Sequence, residues 1–207
     1  VVSESDVVRQ AVLEVAPAEE SESSARPKRA DARRNQERLV AAAREVFARE
    51  GGGASLEAVA REAGVGVGTL YRHFPRRIDL VEAVYRGEVD ELLGTAERVT
   101  DELDPWPAMV AFLEAFVHYA QGKRTILNEL QEAFEKNPDL RSESRERIER
   151  GMGLVLERGQ RSGVVRPDIA ASDLMQLVAP MCTNATLLAD QSTRLLAVIL
   201  DGLRVPS

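Results

Sequence analysis

The chain has 207 residues, enough for one ordinary domain or for a small domain beside a larger one. Its composition is 44% hydrophobic with only five Phe, three Tyr and one Trp amid abundant Ala, Glu and Arg, which predicts an all-α fold. The lone cysteine, Cys182, excludes an intramolecular disulfide, and no apolar run approaches the roughly 20 residues of a bilayer span.

The net charge of −7 argues against nucleic acid only until it is divided along the chain. Residues 1–25 carry one Arg against six acids, residues 26–86 thirteen basic residues against eight acids, and residues 87–207 thirteen against twenty. A basic module beside an acidic body predicts a DNA-binding head with a separate body. Residues 1–30 also lack the basic-then-apolar order of a signal peptide, so a cytoplasmic protein with no membrane partner is expected.

Residues 1–32 are acidic, then Ser- and Pro-bearing, then basic, and read as a disordered tail; the spacing of Val8, Ala11, Val12 and Val15 also allows a short helix there. Over residues 33–50, Leu39, Ala43, Val46 and Phe47 fall at i, i+4, i+7 and i+8, one stripe of a helix closed by Gly51-Gly52-Gly53. Ser55 then serves as N-cap of a second helix, with Glu57 in its first turn and Leu56, Val59, Ala60 and Ala63 on one side. Gly64 ends it. Val67, Leu70, Tyr71 and Phe74 mark a third short helix, which Pro75 stops.

The stretch AREAGVGVGTLYRHFPRR (60–77) places Gly64, Gly66 and Gly68 at alternate positions. A phosphate-binding loop needs a strand before its glycines, and the P-loop form a Gly-Lys-Ser/Thr after them. Here a helix precedes them and neither feature is present. The glycines read instead as the turn of a helix-turn-helix, Gly64 supplying the left-handed helix end and Gly66 and Gly68 permitting close backbone approach.

Beyond the head, residues 77–100 read as a long linking helix with Leu80, Val84, Val89, Leu92 and Leu93 inward. Residues 104–123 bring Trp106, Met109, Phe112, Leu113, Phe116 and Val117 onto a broad face. Further helices are predicted near 123–136, 140–162, 172–189 and 192–204, separated by Asn137-Pro138, Gly163 to Pro167 and Asp190-Gln191. The organisation expected is a tail at 1–32, a DNA-binding domain at 33–76 and a helical body at 77–207.

The run SLEAVAREAGVGVGTLYRHFPRRIDLVEAV closely resembles the signature of TetR-family transcriptional regulators, IAxxAGVSxGTLYxHFxxKxxL, over about residues 36–85. Gly66 replaces the usual Ser at the start of the recognition helix, and Arg77 replaces the usual Lys. The body also loosely resembles SbtR-like regulators. The resemblance implies that the third helix enters the major groove of a palindromic double-stranded operator, with Val67, Gly68 and Thr69 at base edges and a thymine methyl as partner. Tyr71 and His73 would grip phosphates by hydrogen bond and Arg77 by charge, Ser55 would offer its hydroxyl at a helix N-terminus, and Arg72 is the one candidate for a guanine. Arg33 and Arg34, with Lys28 and Arg29, would track the backbone or minor groove. Duller readings stay open: Tyr71 as a core aromatic, His73 as a cap, Arg72, Arg76 and Arg77 as a solvated charge run, and Lys28 and Arg29 as tail.

The resemblance further implies a small-molecule effector held in the body and a homodimer through the last two long helices. Leu174, Leu177, Val178 and Met181 with Leu195, Leu196, Ile199 and Leu203 suit such a helix pair. Trp106, Phe112, Phe116, Tyr119, Met152 and Met181 are the candidates to line the cavity, with His118, Asn128 or Asn184 as polar anchors, against the alternative that the stripe is plain core. The function expected is a dimeric repressor released by its ligand, an activator being the other sign. A helical adaptor without DNA affinity is the competing binding module. An enzyme is not expected, nor a cofactor or metal: the two histidines lie far apart, at His73 and His118, and no nucleophile stands beside a base.

Overall fold

The computed structural model describes residues 20–124, 126–184 and 188–205, without side-chain detail for residues 20–30, 124, 181–183 and 189. Nine α-helices follow one another among these residues: α1 Glu20–Glu50, α2 Leu56–Glu62, α3 Val67–His73, α4 Arg77–Glu102, α5 Pro105–Arg124, α6 Leu127–Lys136, α7 Pro138–Arg161, α8 Ala171–Thr183 and α9 Ala189–Leu203. The chain divides into two compact units after Arg38. Of the residues expected to form a tail, 20–32 are helical backbone, in keeping with the Glu, Ala, Lys and Arg that populate them; residues 1–19, including the valine spacing noted above, lie outside the described part.

In the second unit, Leu39, Ala43, Val46 and Phe47 are buried along one face of α1, as their spacing predicts. Gly51 takes φ +65° to open the turn after α1. The Ser55 hydroxyl accepts the Ala58 N–H at 3.0 Å and caps α2. At its other end Gly64 takes φ +65°, and the Val65 N–H reaches the Ala60 carbonyl at 3.0 Å, a Schellman closure that turns the chain into α3. Leu70 of α3, Phe74 at its C-cap, Leu80, Val81 and Val84 of α4 and Ile126 before α6 join the same apolar cluster. The head core therefore continues past Pro75 into the linking helix.

The 26-residue α4 is about 39 Å long. Past its first two turns it packs on α5, α6 and α7, burying Tyr85, Val89, Leu92, Ala96 and Val99 in the body core. Met109, Phe112, Leu113 and Phe116 of α5 fill the centre of that core. Asn137 caps α7 by accepting the Leu140 N–H at 3.3 Å, with Pro138 in the first turn where no N–H is needed. After α7, the chain at Val164–Arg166 pairs antiparallel with Arg204, and the Arg166 N–H donates to the Leu203 carbonyl at 2.9 Å. Gly159 is required there: a Cβ on it would come within 2.5 Å of the Val165 side chain. Among the described residues no helix is long and apolar enough to cross a membrane.

Candidate functional site

On the seven-residue α3, Leu70 and Phe74 point into the head core, one turn apart. That anchorage turns the opposite face outward: Gly68 and Arg72 are exposed, Val67 is 38% exposed and Tyr71 43%. Tyr71 is thus a surface side chain, and Thr69 and His73 are half-buried at the edges of the same face. The Arg72 guanidinium donates to the Thr69 hydroxyl at 3.0 Å, one turn back on the helix. Gly66 at the N-cap offers no side-chain cap, as its replacement of Ser implies.

Gly66 is the N-cap of α3, where glycine is preferred to alanine. Gly68 lies inside the helix, and among the described residues nothing asks for glycine there: its φ is not positive, and a Cβ on it would meet no heavy atom within 4 Å. Glycine inside a helix costs about 1 kcal/mol relative to alanine, so the bare backbone at Gly68 has no intramolecular return.

The arginines expected at DNA, and Arg76 beside Arg77, differ in their partners. Arg76 pairs with Asp79, whose carboxylate also accepts the Arg76 N–H at 3.0 Å and so caps α4. Hydrogen bonding to Arg76 holds the Asp79 carboxyl below its usual range. Arg77, expected at a phosphate, has partners within the chain. Its guanidinium is 5.0 Å from the Phe47 ring centroid, donates to the Gly52 carbonyl at 2.9 Å and to the Ala54 carbonyl, and meets Glu129 of α6 at 3.3 Å. With those partners, it clasps the turn after α1 to the body. Arg33 and Arg34 lie on the exposed surface of α1, paired with Glu37 at 2.9 Å and with Asp31. Ser55 uses an acceptor site of its hydroxyl on its own helix and keeps its O–H. The side chains of Lys28 and Arg29 are outside the described residues.

A cavity of about 310 Å³ opens in the body among α4, α5, α6, α7 and α8. Phe116 and Tyr119 line it, as expected. Phe112 and Met152 do not: both are fully buried in the core, filling space rather than bordering it. Trp106 is also elsewhere, half-buried with its ring centroid 5.0 Å from the Arg204 guanidinium, and the Met181 side chain is outside the described residues. None of the proposed polar anchors lines the cavity; His118 borders a separate void of about 140 Å³ beside Glu88 and Arg44. Among the residues missed are Tyr85, Lys123, Phe134, Arg141, Arg145 and Met175, from five different helices. Periodicity tells which side chains face inward, and not which of those face a void.

Among the described residues no cluster of His, Cys, Asp and Glu could hold a metal ion.

The comparisons with known proteins agree with this geometry. Residues 39–84 match the model of bacterial regulatory proteins of the tetR family, and residues 104–205 that of the SbtR-like transcriptional regulator C-terminal domain. The fold is similar to the TetR transcriptional regulator SCO0520 from Streptomyces coelicolor, 36% identical over 83% of this chain and 99% of that one, with a TM-score of 0.73. A TetR transcription regulatory protein from Mycobacterium vanbaalenii is 32% identical over 86% and 100%, with a TM-score of 0.70. In sequence, the HTH-type transcriptional regulator UidR of Escherichia coli K12 is 26% identical over 136 residues, 64% of this chain and 69% of that protein. These are transcription regulators and not enzymes. With a helix-turn-helix head and a helical body that both match, the chain belongs to the TetR family of DNA-binding transcriptional regulators.

Proposed function

We propose that this regulator is a dimeric repressor that binds a palindromic operator and leaves it when a small molecule fills the body cavity. The observation that carries the DNA-reading half is the exposed face of α3, where Gly68 keeps the backbone bare with no packing reason among the described residues. Val67, Thr69, Tyr71 and Arg72 surround that bare patch, suited to base edges and phosphates; His73 and the Ser55 hydroxyl supply further phosphate contacts at its margin. Arg33 and Arg34 add charge to the contact with DNA.

The dimer reading rests on the outer faces of the last helices. Leu174, Val178, Leu196 and Leu203 are buried within the chain, whereas Leu177 (53%), Leu195 and Val198 (68%) are exposed. Large aliphatic groups on neighbouring helices suit a self-complementary two-fold interface. Two copies of α3 then lie about 34 Å apart, in successive major grooves.

Two elements join the cavity to the head. Leu80, Val81 and Val84 of α4 sit in the head core while Tyr85, next in sequence, lines the cavity. On α6, Leu130 and Phe134 line the cavity while Glu129 holds Arg77. A ligand that favours another packing of α4 and α6 shifts the head by its differential affinity, typically 1–3 kcal/mol. The regulator works in the bacterial cytoplasm, where its operator lies.

Selection of bound duplexes from a random pool, followed by salt titration of the winner, tests this reading. Enrichment of a two-fold palindrome, a steep salt slope and at least a tenfold affinity loss for Tyr71→Ala are expected. A pool that shows no enrichment would sink the DNA-reading role of α3.

A further inference from the structure

The body is acidic, with twenty acids against thirteen basic residues over 87–207, but the wall of its cavity is the reverse. Lys123, Arg141 and Arg145 line it, and among the described residues no carboxylate does. Neighbouring cations are neutralised: Arg86 pairs with Glu143, Lys136 with Glu132 and Arg147 with Asp90. The three in the cavity wall have no such ion pair among the described residues. Two of them lie over rings instead. Lys123 Nζ is 4.9 Å from the Tyr85 centroid and 5.2 Å from that of Tyr119, and Arg141 is 6.0 Å from that of Phe134. Ring faces orient a cation without neutralising it. Glu88 feels the charge of Lys123, but it faces Arg44 at 3.8 Å and lines the separate smaller void.

We infer that the cavity takes a small organic anion, its acid group held by Lys123, Arg141 and Arg145 and its apolar part laid against Phe116, Leu130 and Ile148. The inference rests on the reading of this cavity as the effector site and adds the chemical class. A ligand in the mouth takes half-buried Lys123 further from water and shields one side of the exposed Arg141 and Arg145. An anion compensates that loss, a neutral group leaves the charges unpaired, and a cation adds repulsion. The size narrows the class further. At about 310 Å³ the space is at the lower end of small-molecule sites, roughly 300–1,000 Å³, so it suits one ring or a short acyl chain.

Calorimetric titration of the full chain with matched probes tests the class: phenylacetate, phenylacetamide and phenethylamine, then hexanoate, hexanamide and hexylamine. The carboxylates should bind at least tenfold tighter than the amides, and the amines not at all. Lys123→Met and the double variant Arg141→Met/Arg145→Met should each lower carboxylate affinity about tenfold while leaving the amides unchanged. Lys123→Arg should restore most of the loss, and Arg98→Met, outside the cavity, should have no effect. Equal or tighter binding of amide or amine, carboxylate binding indifferent to the Met variants, or no binding by any of the six overturns the proposal. Operator release is read separately by fluorescence anisotropy. A carboxylate that binds with the expected variant pattern but leaves the DNA complex intact overturns ligand-relieved repression and leaves the anion site standing.

Discussion

In the head, the buried cluster draws on Ala42, Ala43, Ala58, Ala60 and Ala63 beside Val and Leu, with Phe47 and Phe74 as its only rings. In the body, the cluster is built from Tyr85, Met109, Phe112, Phe116, Tyr119 and Met152 across long helices, and the cavity opens beside it. Small side chains let short elements close on one another and hold α3 against the head core. Bulky side chains on long helices leave gaps where their shapes do not interlock. One region is closely filled and the other leaves a cavity.

The largest effect expected from this contrast is on stability. Phe47→Ala, in the closed head and under the Arg77 guanidinium, should cost about 3–5 kcal/mol in urea denaturation. Met175→Ala, half-buried beside the cavity, should cost roughly 1–2 kcal/mol, because the site already borders a void and removes fewer contacts. Equal losses would break the contrast between the two cores.

Next come the glycines. Gly159→Ala drives a Cβ against Val165 and should destabilise by about 1–3 kcal/mol. Gly68→Ala should do the opposite, stabilising the free protein by up to about 1 kcal/mol, while weakening operator binding measured on the same preparation. A Gly68→Ala protein that binds DNA as tightly as wild type would remove the argument that its bare backbone serves a groove.

A smaller and more particular effect is expected at the clasp. Arg77→Gln leaves the Gly52 and Ala54 carbonyls short of a donor and should cost about 1–2 kcal/mol of stability. It should leave the slope of log K against log salt unchanged, because the guanidinium is committed within the chain. A slope reduced by about one unit would return Arg77 to the phosphate backbone.

The smallest expected change concerns pH. Burial pushes the Glu88 carboxyl above its ordinary value, opposed by Arg44 and Lys123. A folded-state value raised above the unfolded one gives a contribution present below the unfolded pKa and lost as pH rises through the folded one. Glu88→Gln should therefore lose little at acid pH and gain relative to wild type as pH rises past the ordinary carboxylate range, seen as a flatter plot of thermal midpoint against pH.

Much of this was legible before any coordinates. Leu39, Val46, Val59, Leu70 and Phe74 are buried where their spacing put them, Ser55 caps, and Gly64 is left-handed. Each is a local consequence of side-chain period or backbone sterics, read over a few residues. Of the body, the helices were legible to within a few residues at most ends, with α8 stopping at Thr183 short of the expected 189. The internal partners of Arg77 are not legible in the sequence, because they stand 23, 25 and 52 residues away along the chain. The cavity was half-read for a related reason: Phe112 and Phe116 share one helix face and one period, and only the packing of α4, α6, α7 and α8 around α5 decides that one borders a void.

The sequence by itself determined the helices, the turn that separates α2 from α3, the two regions of opposite charge and the family, because propensity, capping and motif spacing are local. Only the tertiary structure decided that Arg77 joins the turn after α1 to α6, that a Cβ on Gly68 would meet no described neighbour, and that among the described residues three cations with no acid between them meet around an apolar hollow. Those facts depend on side chains from distant helices sharing one small volume, and no spacing along the chain records that.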